Sequence, residues 1–128
     1  MTSVEIPFSI ASALPTLTVL DITNEVRREL RDSGYGSGIA YVSPLDDEAL
    51  VRVQERESGF FCDLEDLLTR LVPLEQPDRE RQLCLLLGPR TEQIPFSDGE
   101  LCLGRWQRIL LLGFDRPSEP RWNLTLLA

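Results

Sequence analysis

The residues of this chain that could do chemistry are carboxylates and arginines. Asp46, Asp47 and Glu48 are consecutive, Glu55 comes just after the next predicted strand, and Arg81, Arg90, Arg105 and Arg108 lie in the second half. Carboxylates take hard cations through oxygen, and one whose pKa is raised by burial or like charge can serve as a general base. Arginine grips phosphate bidentately. The acidic group matches no EF-hand loop, and adjacent side chains on a strand point to opposite faces. A solvated acidic turn therefore fits it better than a cation site. All 13 basic residues are arginine, with no lysine, so arginine must also fill every ordinary surface role.

What is absent excludes more. The chain has no histidine, which rules out a Ser-His-Asp triad, a Cys-His pair and a three-histidine zinc site. Without lysine there is no Schiff base and no phosphate loop ending in Gly-Lys-Ser/Thr. A net charge of −8 with 21 acidic residues repels nucleic acid and anionic membranes, so neither is an expected partner. The longest apolar runs, 83–87 and 109–112, are too short to span a bilayer. No N-terminal stretch joins positive charge to an apolar run, and Cys62, Cys84 and Cys102 sit in apolar contexts. These features predict buried free thiols and a cytoplasmic protein. At 128 residues the chain is expected to form one domain over 1–128.

The elements that must position these groups are short. Alternating residues predict strands over 4–10 and 16–20. Asp21-Ile22-Thr23-Asn24 supplies capping side chains, and Ile22, Val26 and Leu30 mark a helix over 22–31 that stops near Ser33-Gly34. Strands follow over 38–43 and 50–54. Leu64, Leu67, Leu68 and Leu71 form one stripe of a helix over 63–72, read as core, and 74–81 reads as loop. The apolar run 82–87 suits a buried strand or a short buried helix equally. Residues 93–96 and 100–103 flank Ser97-Asp98-Gly99 as a hairpin. Further strands over 105–114 and 121–127 enclose a turn at Asp115-Arg116-Pro117. The fold class is α+β, mainly antiparallel sheet with two main helices.

Several segments, in order, carry a resemblance. Leu86-Leu87-Gly88-Pro89 is followed by Pro95-Phe96-Ser97-Asp98-Gly99-Glu100-Leu101, then Leu103-Gly104-Arg105-Trp106-Gln107, then Phe114-Asp115-Arg116-Pro117. With Asp21-Ile22-Thr23 and the Leu64 helix ending at Pro73, this resembles the YjbQ-like family, also called the secondary thiamine-phosphate synthase family. The resemblance implies its α+β fold, a homotrimer and a pocket near subunit contacts. It also shows departures. Val51-Arg52-Val53-Gln54-Glu55 matches the family's Ile-Thr-Ile-Asn-Glu. Counting back without a gap places Asp46 at the histidine of Pro-His-Thr-Thr and Asp47-Glu48 at the threonines, with Pro44 as a register-shifted proline. Arg81 stands at the histidine of Asn-Ala-x-His, and Arg105 at the threonine of Leu-Gly-Thr-Trp-Gln.

Two functional expectations follow from the resemblance and the residues together. In the first, the chain keeps the fold, lacks thiamine-phosphate synthase chemistry and works as a binding or structural subunit, with no cofactor and no tightly bound transition metal. In the second, Asp46 or Glu55 acts as base in a rebuilt enzyme. There Gln54, Arg81, Arg105, Trp106 and Gln107 hold a small phosphorylated ligand. The loss of histidine favours the first.

Overall fold

In a computed structural model, the described residues are 8–9 (backbone only), 16–114 and 121–128. The strands are β1 (Phe8–Ser9), β2 (Leu17–Asp21), β3 (Gly38–Pro44), β4 (Ala49–Glu55), β5 (Glu92–Ser97), β6 (Glu100–Leu101), β7 (Gln107–Phe114) and β8 (Trp122–Leu127). The helices are α1 (Thr23–Ser33), α2 (Ser58–Leu71) and α3 (Arg79–Leu87). One sheet has the order β1-β2-β7-β4 and the other β6-β5-β3-β8. Every described pairing is antiparallel. The mixed α+β class read from the sequence is the class observed.

The first sheet lies in the middle of the molecule, and this explains the apolar run 109–112. Leu110, Leu112 and Phe114 of β7 face Phe61 and Leu68 of α2 and Leu83 and Cys84 of α3. Ile109 and Leu111 face the other way, toward Val42 and Ile94 of the second sheet and Val26 of α1. A strand covered on both faces loses the apolar–polar alternation that marks a half-exposed one. Beyond this interface Leu30 of α1 packs on Ala40 and Phe96, so α1 and the first sheet share the inner face of the second sheet. The helix stops where expected: Gly34 adopts φ 78° and its amide bonds the Arg31 carbonyl, a left-handed C-cap that glycine takes without a Cβ clash. The Ser97-Asp98-Gly99 turn also forms, with φ 55° at Asp98 and 73° at Gly99.

Four readings change. The run 82–87 is helical, and α3 reaches back to Arg79, inside the stretch read as loop. Arg79 is itself buried, its Nε donating to the Val72 carbonyl at 2.9 Å. Helix α2 starts at Ser58 rather than 63, because Glu57 caps it by accepting from the amides of Gly59 and Phe60. Its leucine stripe is core only in part: Leu68 is buried and Leu64 packs at the core edge, whereas Leu67 and Leu71 are about half exposed and Phe61, Glu65 and Val72 are buried in their stead. Of the three thiols only Cys84 is buried; Cys62 and Cys102 are exposed, and all three are free. The strand read over 4–10 falls outside the described residues apart from Phe8–Ser9, and so does the turn at Asp115-Arg116-Pro117.

Candidate functional site

The two ends of the first sheet hold the polar groups. At one end Asp21 leaves β2 and the chain turns at once into α1, which buries its carboxylate. Asp21 Oδ1 accepts from the Thr23 amide at 3.0 Å and the Thr23 hydroxyl at 2.6 Å. Oδ2 accepts from Arg108 Nε at 2.7 Å and Arg56 Nη1 at 3.1 Å. The Thr23 hydroxyl in turn accepts from the Ile109 amide at 2.7 Å. Burial alone would raise the Asp21 pKa, but the hydrogen bonds from Arg108 and Thr23 and the Arg108 charge outweigh it, so the carboxyl titrates below its ordinary value. The N-cap residue is Ile22, which offers no side-chain cap, so Asp-Ile-Thr acts otherwise than as the capping group its sequence suggested. It ties β2, α1 and β7 together.

The other end carries the Asp46 turn between β3 and β4. Arg90 fixes this turn from below: its Nε donates to the Ala49 carbonyl at 3.0 Å and its Nη2 to the Asp46 carbonyl. Arg121 reaches it from the start of β8, with Nη2 at 2.9 Å from Asp46 Oδ1. Beside the turn opens a cavity of about 260 Å³, walled by Thr18 and Leu20 of β2 and Leu111 to Phe114 of β7, with Asp46, Asp47, Glu48 and Arg121 on its polar side. Cys84 lies in the neighbouring core, where burial pushes its thiol pKa up despite Arg90 nearby. It is therefore a poor nucleophile.

The residues singled out in the sequence do not converge on that cavity. Gln54 pairs with Arg108 and Glu55 with Gln107 across β4 and β7, at the Asp21 end. Six strand steps separate Ala49 from Glu55, about 20 Å, so Asp46 and Glu55 serve no common site within one chain. Trp106 is exposed in the turn before β7, with the Arg105 guanidinium 5.0 Å from its ring centroid. Gln107 Oε1 accepts from the Gly104 amide at 2.7 Å. Arg81 is exposed on α3, 3.9 Å from Asp78. Of the candidate residues only the turn itself, Asp46, Asp47 and Glu48, lines the cavity. Arg90, one of the arginines suited by type to an anion, commits its guanidinium to backbone carbonyls instead. Arg121 went unnoticed in the sequence, since nothing local links it to a residue 75 positions away. Among the described residues no three His, Cys, Asp or Glu side chains come together to hold a metal ion, and no helix is long and apolar enough to cross a membrane.

Comparison with known proteins places this geometry. The family model described as UPF0047 protein YjbQ-like matches residues 12–128. The chain belongs to the YjbQ family. A UPF0047 protein of Archaeoglobus fulgidus is 35% identical over 114 residues, spanning 80% of this chain and 86% of that relative. One from Methanothermobacter thermautotrophicus is 29% identical over 118 residues, spanning 84% and 81%. Among solved structures, a hypothetical protein from Aeropyrum pernix K1 superposes with a TM-score of 0.77 at 30% identity, covering 87% of this chain and 89% of that one. A structural-genomics target from C. acetobutylicum gives 0.79 at 25% identity, covering 96% and 98%. A YbjQ-like protein from Sulfolobus solfataricus P2 with a TM-score of 0.73 at 22% identity, covering 83% of each chain, is described as of unknown function.

Proposed function

We propose that this YjbQ-family chain is a ligand-binding subunit that has left thiamine-phosphate synthase chemistry behind, and that it assembles as a homotrimer. The observation that carries the reading is the Asp46 turn. Where the resemblance puts an imidazole and two hydroxyls, Asp46, Asp47 and Glu48 stand on the rim of a cavity of about 260 Å³. That is near the lower end of small-molecule pockets, at roughly 300 Å³. The turn is held by Arg90 through backbone carbonyls, so the rim is preorganised while its side chains face the cavity. Three carboxylates against Arg121 and the turn-holding Arg90 leave the rim net negative, which favours a neutral or amine-bearing ligand over a phosphorylated one, because a phosphate would have to take Arg121 from Asp46 and approach like charge. The ligand seat is Asp46 and Arg121, with β2 and β7 forming the wall behind them.

The test has two arms. Incubation with the pyrimidine diphosphate and thiazole phosphate precursors should yield no thiamine phosphate, and a thermal-shift screen should find stabilisation by small amines that disappears in Asp46→Asn. Turnover abolished by Glu55→Gln would replace this reading with the rebuilt enzyme. Light scattering after size exclusion checks the assembly. A mass in multiples of three 14.5 kDa chains supports the trimer, and a strict monomer at micromolar concentration removes it.

A further inference from the structure

Helix α2 carries two apolar stripes, and only one is used inside the molecule. At about 100° per residue, Phe61, Glu65, Leu68 and Val72 lie on the face turned to the first sheet. Phe60, Leu64, Leu67 and Leu71 lie on a second face roughly 100° around the helix. Phe60, Leu67 and Leu71 are 43%, 48% and 57% exposed, and Leu64 touches the core at its edge. Their spacing of four, three and four is the repeat that keeps a seam facing a partner helix. Isolated exposed leucines need no explanation, but four apolar residues in register along one helix face do.

The charges beside the seam identify the partner. Asp63 and Arg70 are both exposed, lie seven residues apart and therefore flank the seam on the same side. When two copies of such a helix run parallel, this flank meets the opposite flank of the partner, and Asp63 would face the apolar, inward-turned Leu68. When they run antiparallel, the same flanks meet, and the stretch between Phe60 and Leu64 lies against that between Leu67 and Leu71. Asp63 then faces Arg70 of the second copy, and the twofold axis repeats the pair. Charge complementarity of a helix with its own reversed copy is the signature of an isologous contact. We propose that the outer stripe of α2 is a self-pairing surface, docking antiparallel against α2 of a second copy of this chain across a twofold axis. The contact is independent of the proposed ligand site at the other side of the first sheet.

Sedimentation velocity of the full chain at micromolar concentrations tests it, using wild type, Leu67→Glu, Asp63→Arg, Arg70→Asp and the double charge exchange. Circular dichroism melting confirms that each variant is folded, and the altered positions are all exposed. The wild type should contain an even number of chains, and Leu67→Glu should halve the mass. Either single reversal makes two like-charge contacts per interface and should weaken association by about tenfold or more. The double exchange should restore it. If the homotrimer stands, the expected change is from six chains to three; if it does not, from two to one. Failure of the two ideas is therefore distinguishable. A mass unchanged by Leu67→Glu, a fall to one third that assigns the stripe to a threefold contact, or a double exchange that fails to rescue overturns the twofold pairing.

Discussion

Asp21 and Asp46 are the same residue type at opposite ends of one sheet, and they are held in opposite ways. Asp21 is buried and accepts four donors from Thr23, Arg56 and Arg108. Asp46 is held firmly through its backbone carbonyl, while its carboxylate meets the mostly exposed Arg121 at the mouth of a cavity. A saturated, buried carboxylate has no capacity left for a ligand, and its loss takes a shared partner from two arginines. A carboxylate whose position is fixed by backbone contacts can change partner without disturbing the fold. Two aspartates in a histidine-free chain thus separate into a structural knot and the rim of a candidate site.

The sharpest way to break this contrast is Asp21→Asn. Removing the charge from a buried, doubly paired carboxylate should cost about 3 kcal/mol, read as a lower denaturant midpoint at unchanged slope. The same group sets an acid limb. Its folded pKa lies below the ordinary 3.8, so its contribution is fully present above about pH 4. That contribution is lost as pH falls through the lower folded value. A pH series of denaturation curves should show a limb that is flatter in Asp21→Asn.

Next in size is Thr23→Val, which preserves shape but removes the hydroxyl that links Asp21 to the Ile109 amide. Leaving a buried amide without its acceptor should cost about 2 kcal/mol, and amide exchange at Ile109 should accelerate more than at Leu112. The smallest stability effect belongs to Asp46→Asn, because its partner Arg121 is largely exposed. Less than about 0.5 kcal/mol is expected, with any amine-induced thermal shift abolished. A large stability loss in Asp46→Asn would erase the contrast between the two ends.

The parts of this arrangement that were legible share a local cause. The four-residue apolar period from Ile22 and the stop at Gly34 declare a helix, and Asp98-Gly99 declares a tight turn, since both depend on backbone chemistry within a few residues. The Asp46 turn was legible as a charged turn, but not as the rim of a cavity. Its partners Arg90 and Arg121 lie 44 and 75 residues away, and no pattern near Asp46 names them. The run 82–87 stayed ambiguous because a segment apolar on every side has no period to read. Arg52 helps to end its helix by donating to the Leu87 carbonyl, a favourable place for a cation at a helix C-terminus.

The leucine stripe of α2 divides what the sequence determined from what tertiary structure decided. Composition excluded imidazole and lysine chemistry outright, and periodicity fixed that 63–72 is helical with an apolar face. Yet Phe60 and Phe61, or Leu67 and Leu68, are adjacent residues that place apolar groups about 100° apart. Periodicity cannot say which of two neighbouring stripes meets the sheet. Only packing decided it: β7, buried on both faces, took Phe61 and Leu68 and left Leu67 and Leu71 outside. The same packing separated Asp46 from Glu55 by the length of a strand. Which groups share a site depends on contacts between residues distant in the chain, and those exist only once the sheets have closed on each other.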